Sequence, residues 1–462
     1  MTPAEALRRR VCWACLRRSS VKSVAVWADR YRYLSSESAA EHGKWSTLPF
    51  QYGPFDAVSD PRTYRIVIKS ATQMLKTELI LNSIGFFAHQ DPGPILVLQP
   101  RDADAKAFSK ERIAPMIRDT PALKAIFSRS KSRAADNTIE EKLFTGGMLA
   151  ITSAGSPGNL ARRAIRFLFC DEIDKYPPTS GAEGNPISLA RKRLATFRHR
   201  RKEILTCSPT VAGSEIDRAF EASDRREFLV PCPHCGLSQS MMLKFRTQAR
   251  WDEKLPTREE QARSARYHCE GCDSPWDDAA RWKAIEQGEW QARGPFNGIA
   301  GFWISELYSP WKQLSEIVLD YLAKKDSAED LKTFVNTTLA ENWIEKGEAP
   351  EWEALLGRRE NSGTGAVKAG GLFLTAGVDV QRDRLEAEVV AWGRGSPARK
   401  HLGFPAIPRM RARRARSQDR SSLRCEILNK WPCTRCWCRA SQVHFTVRLA
   451  SSPHHSWAGS FP

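Results

Sequence analysis

No run of about 18 or more apolar residues occurs in the 462-residue chain, so no membrane-spanning helix is expected. The N-terminus carries Arg8 to Arg10, Arg17 and Arg18 but no clean apolar stretch behind them, which argues against a secretory signal. Both absences fit a cytoplasmic protein. Acid is scarce at the other end. Asp419 and Glu426 are the only acidic residues in 401–462, against 10 Arg and 1 Lys. Half of the net charge of +18 therefore lies in this tail. The remainder is a modest excess, compatible with an anionic partner such as nucleic acid without establishing one.

What is present supports packed domains. The 41% of hydrophobic residues suffices for the cores of two or three of them. Between about 41 and 225, strand-like and helix-like patches alternate. Residues 64–69, 95–99, 147–152, 167–170 and 203–207 read as strands, and 79–87 and 105–117 as helices. Such alternation predicts an α/β fold, a parallel sheet flanked by helices, whose ligands sit beyond the strand C-termini.

Two carboxylates, Asp171 and Glu172, directly follow the apolar run Phe167 to Cys170. Adjacent acids there suit a site in which the first holds a Mg²⁺ shell and the second polarises an attacking water. A solvated acidic turn has the same pattern. About 95 residues upstream, a strand leads into Ser70-Ala-Thr-Gln73-Met-Leu75-Lys76-Thr77 and then an apolar helix. Strand, short loop, Lys-Thr, helix is the layout of a phosphate loop, with backbone N–H groups around the phosphates. Lys76 would reach the β/γ-phosphates and Thr77 would sit on Mg²⁺. Ser70 and Leu75 occupy the first and sixth positions, where such loops carry glycine.

Cys232-Pro-His-Cys235 and Cys269-Glu-Gly-Cys272 are two CxxC turns with 33 residues between them. Paired thiolate turns of this kind surround one tetrahedral Zn²⁺. Gly236 and Gly271 make the tight turns available, and His234 and His268 are spare donors. A disulfide pair is the competing reading, and cytosolic chemistry argues against it. Four cysteines leave no open coordination position, so a structural role is expected.

Taken together these residues resemble the large subunit of phage terminases of the GpA (lambda-like) class. The resemblance runs from about Val26 to Arg394. It is carried by 27–34, Gln73 to Glu78, Phe169 to Tyr176, Ser208-Pro-Thr210, Pro231 to Gly236, Leu307 to Trp311, Asn336 to Leu339 and Ala376 to Gln381. It implies a P-loop ATPase core with a zinc-binding insertion, followed by an RNase H-like nuclease. The implied cofactors are ATP, Mg²⁺ and Zn²⁺, and ATP hydrolysis would drive double-stranded viral DNA into a procapsid. The implied partners are that DNA, a terminase small subunit and the portal, with a homo-oligomer as the working form in the host cytoplasm and no membrane.

By the same resemblance Lys76, Asp171 and Glu172 are catalytic, and Ser70, Gln73 and Thr77 help bind ATP. Ser208 or Thr210 senses the γ-phosphate, though an ordinary strand-to-loop turn reads alike. Residues 27–33 and Phe50-Gln-Tyr52 are expected near the adenine. Asp379 is the first acid of a two-metal nuclease site, or else a solvent-facing strand residue. The family's loop reads Gln-x-Gly-Lys-Thr-Glu, so Leu75 replaces a glycine and bears on ATP turnover.

The expected organisation is a leader (1–40), an ATPase core (41–225), a zinc-binding insertion (226–280), the rest of the ATPase region with a linker (281–370), the first strands of a nuclease (371–399) and a basic, disordered tail (400–462). Residues 372–393 read as a two-stranded hairpin. After Arg399 the pattern dissolves and too few acids follow for a two-metal site. A frameshifted or truncated nuclease, with no endonuclease activity, is expected. The alternative is a catalytically dead prophage remnant, a zinc-stabilised nucleic-acid-binding protein.

Overall fold

Seven parallel strands lie side by side in the first of two compact units, residues 1–345, in the computed structural model. The structure describes residues 2, 5, 21–37, 42–128 and 138–344, and the backbone of 373–380, 384–392, 400–403, 407–408, 435–439 and 442–448. The strands of this sheet are β1 (Arg65–Ser70), β2 (Pro94–Gln99), β3 (Glu141–Phe144), β4 (Gly147–Ser153), β5 (Phe167–Asp171), β6 (Lys202–Cys207), β7 (Arg226–Pro231), β8 (Ser238–Ser240), β9 (Glu289–Gln291) and β10 (Ile299–Ile304). Their order is β8-β7-β10-β1-β6-β5-β2-β4-β3, with β9 also on β7.

The sheet is mixed rather than wholly parallel. β3, β8 and β9 pair antiparallel at its margins, β3 and β8 through short connections that need no crossover helix. The central strands are apolar on both faces, as a covered parallel sheet requires. Ile66, Ile68, Ile95, Val97, Phe167 and Phe169 join one buried cluster, while Val67, Leu96, Leu98, Leu168 and Cys170 join the other. That alternation is the pleat itself.

The helix Lys76–Gln90 is buried along most of its length, and Phe87 stacks on Phe167 with ring centroids 3.8 Å apart. Packed chain begins earlier than residue 41. Ser23 caps the helix Val24–Tyr31, whose Trp27 is fully buried over Gly85. A Cβ on residue 85 would fall 2.1 Å from that indole, so glycine is required there. Residues 6–20, the bulk of the expected leader, lie outside the described residues. The expected helix over 105–117 is a helical path broken by a π-turn, Phe108–Ile113, next to Pro115, which cannot donate a backbone bond.

Between β8 and β9 the chain forms a small sheet of Ala249–Arg250, Arg266–His268 and Pro275–Trp276. Phe245, Trp251, Tyr321 and Phe334 pack edge-on and tilted, joining it to the helices Leu314–Lys324 and Ala328–Thr337. No helix among the described residues is long and apolar enough to cross a membrane.

The second unit, residues 346–462, contains the expected hairpin as Phe373–Val380 against Arg384–Trp392. The tail, expected to lack structure, instead supplies strands. Gln442–Arg448 pairs antiparallel with Phe373–Val380, and Arg435–Arg439 with Gln442–Arg448. Val443, Phe445 and Val447 alternate with polar residues there, a period of two that compositional bias had obscured. Of the expected ATPase remainder and linker over 281–370, residues 345–370 lie outside the described residues.

Candidate nucleotide site and cysteine centre

Because β1, β6, β5 and β2 are parallel and in register, their C-terminal ends form one rim. β6 lies between β1 and β5, so the two expected halves of a phosphate site stand two strand spacings, about 10 Å, apart. Lys76 spans this gap. Its Nζ is 2.7 Å from Glu172 Oε1 and also donates to Ser208 Oγ, just beyond β6. Lys76 itself is buried.

The loop before Lys76 turns through Gln73, whose φ of +55° is left-handed. Ser70 is buried, and its hydroxyl donates to the Ala71 carbonyl. Thr77, half-buried, is the second residue of the helix. Leu75 has φ −147°, so no left-handed conformation demands glycine there, and its side chain is 2% exposed within the hydrophobic core.

Asp171 is buried and accepts from Thr206 Oγ1 at 2.6 Å and Gln99 Nε2 at 3.3 Å. Burial pushes its pKa up, the Thr206 bond opposes this, and the Glu172 charge adds to it. Glu172 goes the other way. Burial raises its pKa, but Lys76 and Lys175 outweigh that and hold it below the ordinary range. Lys175 Nζ lies 3.0 Å from Glu172 Oε2. Glu172 has φ +53°, costly for a residue with a side chain, a strain that clusters at functional sites.

Thr210 does not join Lys76. Its Oγ1 donates to Asp174 Oδ2 at 2.9 Å, and Asp174 also caps the Ile216 N–H. A cavity of about 650 Å³ opens beside these residues, lined by Thr72, Glu172, Lys175, Ser208, Thr210 and Trp343 among others.

The expectation that 27–33 and 50–52 seat an adenine is not met by Trp27 or Phe50. Both are fully buried, and the Trp27 indole donates to His89 near the far end of the Lys76–Gln90 helix. Thirteen residues of helix place that contact about 20 Å from Lys76. Gln51 accepts from the Leu48 N–H and caps its own helix. The sequence reading missed Gln99, Thr206 and Lys175. Thr206 and Gln99 look like ordinary strand residues until pairing sets them against Asp171. Lys175 lay within the Phe169-to-Tyr176 stretch without a role.

The four cysteines converge. The Sγ atoms of Cys232, Cys235, Cys269 and Cys272 all lie within 4.8 Å of one another, with 3.8 Å between 232 and 272 and 3.7 Å between 235 and 269. Disulfide sulfurs lie about 2.05 Å apart. Tetrahedral thiolates about 2.3 Å from a zinc ion lie about 3.8 Å from each other. The His234 and Cys235 N–H groups point at Cys232 Sγ, and Gly271 N–H and Gln239 Nε2 at Cys269 Sγ. These donors stabilise thiolate charge. His268 instead contacts the Asp273 carbonyl. Each turn closes through a left-handed residue, Gly236 in the first and Asp273, rather than Gly271, in the second.

Asp379 lies on the strand Phe373–Val380, opposite Glu386 and Gln442 in register. Its side chain lies outside the described residues.

Two family models match the chain: phage terminase large subunit gpA, ATPase domain, over residues 39–290, and terminase large subunit gpA, endonuclease domain, over 299–398. The second match starts on β10, a strand of the first unit. The chain is 32% identical over 399 residues to the terminase large subunit of Enterobacteria phage P21, covering 80% of this chain and 60% of that protein. It is 30% identical over 402 residues to the terminase large subunit of Escherichia phage lambda, covering 82% and 62%. The chain thus spans about 60% of the length of these curated relatives. Among solved structures, the Thermus phage P74-26 large terminase ATPase domain is similar at 13% identity and a TM-score of 0.36, covering 65% of this chain and 95% of that one.

Proposed function

Since this chain belongs to the phage terminase large subunit gpA family, we propose that it hydrolyses ATP to drive double-stranded viral DNA into a procapsid. The observation that carries this reading is the convergence of Lys76, Glu172 and Ser208 at one strand rim. Backbone groups of 70–75 and the N-terminus of the Lys76–Gln90 helix would receive the phosphates. Lys76 would hold the β/γ-phosphates, and Thr77 with Asp171 would hold Mg²⁺. That ion would neutralise phosphate charge in the transition state. Glu172 would orient and deprotonate water. Ser208, which accepts from Lys76, would sense the γ-phosphate, and Thr210 would pass its state to Asp174.

The working partners in this reading are DNA, a terminase small subunit, the portal and further copies of the chain, in the host cytoplasm. Cys232, Cys235, Cys269 and Cys272 would hold Zn²⁺, which ties the two turns together and leaves no open position for catalysis. DNA cleavage is proposed to be lost. Two-metal cleavage needs several convergent carboxylates, and only two acids occur in 401–462. A second reading, a catalytically dead, zinc-stabilised remnant that binds nucleic acid, draws on the scarcity of acids in 401–462.

The test is Glu172→Gln in the full chain. Turnover should fall by roughly 10²- to 10⁴-fold while nucleotide binding persists. Equal turnover would remove Glu172 from its role, and no ATP binding by the wild type would favour the remnant.

A further inference from the structure

Glu172 bridges two ammonium groups, one on each oxygen: Lys76 at 2.7 Å on Oε1 and Lys175 at 3.0 Å on Oε2. The two lysines differ in kind. The Lys76 side chain is 8% exposed and the Lys175 side chain 63%. Cys207 Sγ also lies 3.8 Å from Oε2. The left-handed backbone at Glu172 starts the short turn Ile173–Lys175, which brings Lys175 back beside the carboxylate.

On the nucleotide reading above, this arrangement has a conflict built into it. A triphosphate over the loop carries several negative charges and attracts the same Lys76 ammonium that now holds Glu172. Once Lys76 turns to phosphate, a largely buried carboxylate would be left beside an anion. That is costly unless another cation takes it. Lys175 already touches its second oxygen, and its exposed stem is free to follow.

We propose that Lys175 is a positioning residue that takes Glu172 from Lys76 as a triphosphate enters, so that Glu172 and the nucleotide compete for one ammonium. Lys175 makes no contact with the reacting atoms. It sets how readily Lys76 is released and where the base then stands.

A binding cycle with a fluorescent ATP analogue and Mg²⁺ on the full-length chain tests this without requiring turnover. Glu172→Gln frees Lys76 and should tighten binding by roughly three- to tenfold. Lys175→Ala leaves Glu172 to Lys76 alone and should weaken binding by a similar factor, and Lys175→Arg should restore it. In the Glu172→Gln background, Lys175→Ala should have no effect. An unchanged affinity in Glu172→Gln, or the same Lys175→Ala effect in both backgrounds, overturns the proposal while leaving the nucleotide site intact. Binding by none of the proteins overturns the nucleotide reading and this inference together.

Discussion

Thr206 Oγ1 donates to Asp171 Oδ1 across 2.6 Å, between residues in direct register on β6 and β5. Both are buried, so the bond forms where water cannot replace it. Burial pushes the Asp171 carboxyl up, and this donor is the largest force against it. Thr206→Val keeps the shape and removes the donor. Stability should drop by about 1–3 kcal/mol, and Mg²⁺ half-saturation of ATP hydrolysis should rise several-fold. Thr206→Ser should restore both, as Mg²⁺ titration and thermal melts would show.

Leu75 belongs to the core although it stands where a phosphate loop has glycine. Leu75→Gly should therefore cost about 2–5 kcal/mol of stability. It should not raise turnover, because the side chain fills the core rather than the loop mouth. A large gain in ATP hydrolysis would show that the leucine obstructs phosphate.

Burial pushes Glu341 up to about 6, against the pull of Arg246 and Lys69. A raised folded-state pKa contributes stability below the ordinary carboxyl value, and that contribution is lost as pH rises through 6. Glu341→Gln should therefore stabilise the protein at pH 8 by about 2 kcal/mol and do nothing at pH 4. Denaturant melts at the two values decide it.

One zinc ion per chain should co-purify. Its removal by a chelator at neutral pH should lower the melting temperature, since bound metal contributes directly to folding. Cys235→Ser and Cys272→Ser should each lose the metal. Retention of full stability without metal would remove zinc from the fold.

The chain should not cut DNA with Mg²⁺ or Mn²⁺, and its DNA binding should weaken steeply with salt, as phosphate contacts from the +9 tail require. Metal-dependent cleavage lost in Asp379→Ala would refute the absence of cutting.

Much of the molecule was local enough to read from the residues. β-branched and apolar runs marked β1, β2, β5 and β6 to within about two residues. Lys76, the acids at the end of β5 and the spacing of the cysteine turns stood out by type and position. Trp27 misled because an aromatic near a phosphate loop says nothing about which end of the helix it covers. The tail strand Gln442–Arg448 was hidden by a composition that looked structureless.

The chain by itself determined which segments extend, which coil and which residues carry chemistry, because those depend on side chains a few positions apart. Tertiary structure alone decided that β6 lies between β1 and β5, which seats Ser208 under Lys76 and Thr206 against Asp171. It also decided that Leu75 turns inward. Both outcomes rest on pairing and packing between segments 35 or more residues apart, where the balance of burial across the whole sheet selects the arrangement and no local period records it.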